Sequence, residues 1–185
     1  APSKAVGSFS KAWALSGEAR EIFFAIDAAL MLSISQPPKY QNEWLQKALA
    51  LAETSNDPKA QLWLAQLYTM DGWHNFDFRR FEQALDCFEK AVARPRFPGD
   101  DSKVFVVRWC IGRALRSLGR TEEALAIQQK LREELAETGK SNGHIFLEIA
   151  ECLQLLKKVD EARGFFELAY KDLSADGWYS DNKSS

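Results

Sequence analysis

Apolar residues recur at three- and four-residue spacing from about Glu18 to Leu173, with almost no stretch of strict alternation, so the sequence predicts helices and no sheet. The pattern is interrupted at explicit break signals: SQPPK at 35–39, TSNDP at 54–58, DGWHN at 71–75, RPRFPGDDS at 94–102, LGRT at 118–121, TGKSNG at 138–143 and KKVD at 157–160. Cutting there predicts helices over 17–34, 39–53, 58–70, 77–94, 102–118, 121–138, 143–156 and 159–173. Residues 1–16 and 175–185 read as tails. Connectors this short place consecutive helices antiparallel, so four hairpins are expected, at about 17–53, 58–94, 102–138 and 143–173.

The hairpins repeat a pattern of small residues. Ala124 follows Gly112 by twelve positions and Ala162 follows Ala150 by twelve, with Ile111, Leu115, Phe146, Ile149, Leu153, Phe166 and Ala169 around them. A small side chain at a helix crossing lets the two axes approach, and a large one a turn away fills the space beside it. Gly119 falls at the turn between helices, where a left-handed residue closes a helix at little steric cost. The second hairpin offers Leu64, Ala65 and Tyr68, then Ala84, Phe88, Ala91 and a closing Pro95. These residues resemble the tetratricopeptide repeat, over 104–171 and 58–95; over 17–53 the helix-turn-helix layout and Ala48 carry the likeness. The resemblance implies a right-handed α-solenoid of about four antiparallel helix-turn-helix repeats, and a role in binding other proteins. Nineteen residues separate Ala65 from Ala84, which predicts an inserted loop at DGWHNFD and is similar to the related Sel1-like repeats.

Charge and motif content narrow the function. Twenty-four Lys plus Arg against twenty-six Asp plus Glu leave no basic excess, so nucleic acid is not expected as a partner. No apolar stretch reaches the roughly 18 residues of a membrane span. His74 and His144 stand alone, Cys87, Cys110 and Cys152 show no metal-ligand or redox spacing, and no phosphate loop is present. No catalytic residue, metal or cofactor is therefore expected; the three cysteines read as small core residues and the histidines as surface groups. Glu122 and Glu123 follow Thr121 at a helix start, where they complement the backbone dipole and a capping hydroxyl. Phe23, Phe24, Phe88, Phe146, Phe165 and Phe166 fall at core spacing. The first ten residues, APSKAVGSFS, lack a basic segment followed by an apolar one, so a cytoplasmic location is expected, with a leader removed before Ala1 left open.

One stripe of each first helix would line the inner surface of such an array: Phe23, Ile26 and Leu30; Leu62, Trp63 and Gln66; Val106, Trp109, Arg113 and Arg116; Leu147, Glu148, Glu151 and Gln154. Arg108, Arg113, Arg116 and Arg120 read either as a solvated face or as an anion-binding one. The Lys and Asn that grip chaperone tails in some relatives of the family are absent from this stripe. The expected function is a non-catalytic interaction module holding a peptide or protein segment on its concave face. Its expected contact residues are Trp63, Gln66, Trp109, Arg113, Arg116, Leu147 and Glu151. The tryptophans would serve as anchors and Arg113 and Arg116 would pair with partner carboxylates. A dedicated inhibitor or chaperone of one partner, or an accessory enzyme subunit, is the alternative. The chain is expected as a monomer or weak homodimer. Helix 159–173 carries more apolar surface than one face needs, so either Trp178 and Tyr179 fold back over it or two chains pair there.

Overall fold

The computed structural model describes residues 2–99 and 101–175. The described residues form only helices and their connections: α1 (Pro2–Ala19), α2 (Ile22–Ser35), α3 (Pro38–Thr54), the short α4 (Pro58–Gln61), α5 (Leu64–Asp77), α6 (Phe81–Ala93), α7 (Asp101–Ser117), α8 (Thr121–Glu137), α9 (Gly143–Leu155) and α10 (Val159–Ala175). They group into two compact units, Ala1–Val104 and Phe105–Ser185, divided inside α7.

The same turn closes four hairpins. Arg20, Arg79, Gly119 and Lys157 all have left-handed φ, at 57°, 59°, 78° and 61°. After each, the next N–H donates back to the carbonyl five residues earlier: Glu21 to Ser16, Arg80 to Asn75, Arg120 to Leu115 and Lys158 to Leu153, each at 2.9 Å. This is the Schellman closure, and it caps the carbonyls that the first helix leaves open. The α2–α3 connection is different: Gln36 and Pro37 are extended, and Pro38 opens α3, where a missing N–H costs nothing. Polar caps start two further helices, Asp57 accepting from the Lys59 N–H and Asn142 from the His144 N–H, both at 2.9 Å.

In the first unit α3 packs against both α2 and α5, and α5 against α6. The core holds Ile26, Leu30, Leu32, Ala48, Leu64, Leu67, Phe88 and Ala91. In the second unit Val107, Cys110, Ala114, Leu131, Ile145, Ile149 and Leu153 are buried.

Several sequence expectations give way here. Residues 2–16 are not a tail: they lie within α1, and Trp13 packs edge-on against Trp44 of α3 at 5.3 Å. No loop is inserted at DGWHN. The helix runs through it to Asp77, and its turn-forming residues face neighbouring helices instead of solvent. Asp71 accepts from Gln46 Nε2 at 2.7 Å and from the Cys87 thiol at 3.2 Å, and Asn75 donates to the Asp71 carbonyl at 2.8 Å. A Cβ on Gly72 would overlap the Phe88 ring, so Gly72 is the small residue of this hairpin and Ala65 is not. Ala84 follows Gly72 by twelve positions, the spacing seen in the later hairpins, and the basis for a Sel1-like insertion disappears. Thr121 does not cap α8; it is buried within the first turn, Arg120 takes the cap position, and Arg120 grips Glu123 through two 2.7 Å hydrogen bonds. Phe24 is exposed, against a core expectation, while Phe88 is fully buried. The expected cover of α10 by Trp178 and Tyr179 lies outside the described residues.

Candidate functional site

In the second unit Trp109, Arg113 and Arg116 follow one another at four- and three-residue spacing along α7, which sets them on one face. The Arg113 guanidinium stands 4.9 Å from the centre of the Trp109 ring, a cation–π stack. His144 meets the same ring edge-on at 6.0 Å. A pocket of about 230 Å³ opens beside it, lined by Phe105, Val106, Trp109, Asn142, His144 and Ile145. Val106 on its rim is half exposed. From behind, the fully buried Gln128 of α8 donates through Nε2 to the Trp109 carbonyl at 3.1 Å. A Cβ on Gly112 would overlap that amide, so glycine at 112 makes room for the support of Trp109.

The arginines already have partners. Glu148 of α9, only 4% exposed, takes Arg113 Nε at 3.0 Å and Arg116 Nε at 2.9 Å, and Arg116 also reaches Glu151. Burial opposes the Arg116 charge, yet the Glu148 hydrogen bonds and the nearby Glu148 and Glu151 charges raise its pKa above the ordinary arginine value. A carboxylate this deeply buried needs its cations, so the cluster ties α7 to α9. On the outer side of α7, Arg108 makes a two-pronged pair with Glu134 at 2.6 and 2.9 Å and holds that carboxyl below its usual range. The sequence reading placed Glu148 on the inner stripe but assigned it no role. The alternation of cationic α7 and acidic α9 was the available signal. Leu147 and Glu151, the expected α9 contacts, are half-buried beside this cluster in the chain.

Trp63 lies in the first unit, in the turn between α4 and α5. It packs with Phe97 at 4.9 Å and Phe23 at 5.7 Å, and Phe23 with Phe24 at 5.4 Å. Its indole N–H is buried with no hydrogen-bond partner among the described residues. Gln66 is half-buried on α5. With Gly72 aligned to Gly112, the α5 counterparts of Trp109, Arg113 and Arg116 are Thr69, Trp73 and Phe76, so Trp63 and Trp109 do not hold equivalent places. Ile26 and Leu30, expected on the open stripe, are fully buried core.

The three thiols are free and buried. Burial first, then the Asp71 hydrogen bond, pushes Cys87 up to about 12; burial pushes Cys110 to about 12 and Cys152 to about 11. Thiols so placed are poor nucleophiles. No helix among the described residues is long and apolar enough to cross a membrane.

Solved structures with the same arrangement of helices decide the fold class. A structure of MamA matches with a TM-score of 0.61 and 20% identity, covering 90% of this chain and 89% of that one. A MamA structure designated AMB-1 matches at 0.59 and 22%, covering 91% and 95%. Nearly identical TPR-like repeats described for a Podosopora anserina kinesin light chain match at 0.59 and 17%, covering 94% and 87%. The fold is of the tetratricopeptide-repeat type. The chain is thus an all-α protein of the helical-repeat, α-solenoid class. No protein-family model matches the sequence, and no curated protein matches it. The tetratricopeptide register is the one read from Gly72, Gly112 and Ala150, each followed by alanine twelve positions on.

Proposed function

We propose that this tetratricopeptide-type chain is a non-catalytic protein-interaction module, and that its second unit docks a peptide or protein segment on the face shared by α7 and α9. The observation that carries the reading is the Trp109 site. A half-buried indole is braced by Arg113 on its face and by Gln128 behind its backbone, beside an open pocket of about 230 Å³ with mostly apolar walls. A rigid aromatic held next to an apolar recess is what interface anchors look like. Leu147 and the outer edge of Glu151 extend the surface along α9.

Arg113 and Arg116 enter this reading in a changed role. Since Glu148 and Glu151 neutralise them, the anchor is an apolar side chain of the partner, and a partner carboxylate is a rim contact at most. Trp63 and Gln66 lie in the first unit, Trp63 in an aromatic cluster with Phe23 and Phe97. Peptide display against the intact chain, counter-selected on Trp109→Ala, tests the proposal. Selected peptides should carry a large apolar residue and should bind Trp109→Ala at least about tenfold more weakly by calorimetry. Peptides that bind both chains equally would place the site elsewhere.

A further inference from the structure

The outer face of α10 carries a second apolar surface, away from Trp109. A groove of about 480 Å³ runs along it, lined by Gln154, Val159, Ala162, Arg163, Phe166, Glu167 and Tyr170. Val159 and Tyr170 are 58% and 62% exposed. The neighbouring Phe165 points the other way, toward Phe146 and the Arg132 guanidinium, so Phe166 and not Phe165 serves the groove. Val159, Arg163, Phe166 and Tyr170 stand at intervals of four, three and four residues, the seam spacing of paired helices.

Charge says what fits there. Arg163 in the seam and Glu167 at its edge lie on opposite sides of its midpoint, and among the described residues neither makes an ion pair. Turn a copy of α10 end for end about an axis between Arg163 and Phe166. Val159 then meets Tyr170 of the copy, Arg163 meets its Phe166 and Glu167, and the same contacts recur in reverse. The surface is complementary to itself, which is the requirement of a two-fold interface. We propose that this groove binds a second copy of the chain, α10 against α10 in antiparallel register. The inference stands independently of the docking role assigned to Trp109.

Sedimentation equilibrium on the full chain, from micromolar to near-millimolar concentration, tests it. The chain should associate reversibly to a dimer. Arg163→Glu and Glu167→Arg should each weaken that dimer by about tenfold or more, because like charges then face each other across the axis. Mixing the two variants should restore association as a heterodimer, since each then presents two charges opposite to its partner's. Circular dichroism confirms that these surface changes leave the helices intact. A chain that stays monomeric throughout, or a dimer indifferent to both reversals, overturns the proposal. So does dimerisation that appears only after residues 176–185 are deleted, which would give the groove to that segment.

Discussion

Glu148 shows how one side chain can hold two helices in place. Buried at 4% exposure, it is the shared ion-pair partner of Arg113 and Arg116, and its loss leaves two half-screened guanidinium groups facing each other. Glu148→Gln should lower the unfolding free energy by about 2 to 3 kcal/mol in urea titration, discounted from a fully buried pair because both arginines keep some solvent. The cysteines make a second residue-scale prediction. Their thiols are raised to about 11–12 in the folded chain against 9 for a free thiol, so the neutral form is favoured by folding. That contribution is complete below pH 9 and is lost as pH climbs through 11–12, so urea midpoints should fall steadily above pH 9. Native alkylation near neutral pH should proceed only through opening of the structure. Sequence alone showed the three cysteines on helical core positions. It did not show that Glu148 would meet Arg116, because those residues are 32 positions apart and their pairing depends on how α7 and α9 are stacked.

At the level of the helix, the turns carry the lesson. Arg79 and Lys157 sit at left-handed φ where Gly119 sits in the intervening hairpin. A side chain there costs about 1 kcal/mol, so Lys157→Gly and Arg79→Gly should each raise stability by about that amount, and Gly119→Ala should lower it similarly, as thermal melts would show. Gly72→Ala should be worse than its helix propensity suggests. Its methyl would strike the buried Phe88 ring, and overpacking of that kind costs about 1 to 3 kcal/mol. The helices over α7 to α10 were legible because Gly112, Ala124, Ala150 and Ala162 keep a fixed interval. The stretch 71–75 was misread for a physical reason: Asp71, Gly72 and Asn75 are local turn formers, and only Gln46 of α3 and Cys87 and Phe88 of α6 make them good helix residues. The spacing over α1 does not announce a helix because its apolar residues are diluted by serine, glycine and lysine; in the fold it packs along α2, and Trp13 reaches Trp44 of α3.

For the whole molecule, the two compact units offer separate reporters, Cys87 in the first and Cys110 and Cys152 in the second. Thiol labelling along a urea gradient, read site by site by mass spectrometry, should show Glu148→Gln advancing the labelling of Cys110 and Cys152 more than that of Cys87; equal advance at all three would mean the chain opens as one body. The left-handed turns at Arg79, Gly119 and Lys157 lie 40 and 38 residues apart, and each joins its helices with the same hydrogen bond. A genetic exchange between neighbouring ones removes or copies the length of one hairpin and leaves an unaltered joint behind. The length of such a chain is therefore free to change in whole steps during descent, while a cut made inside a helix leaves a broken half-repeat with nothing to lie against.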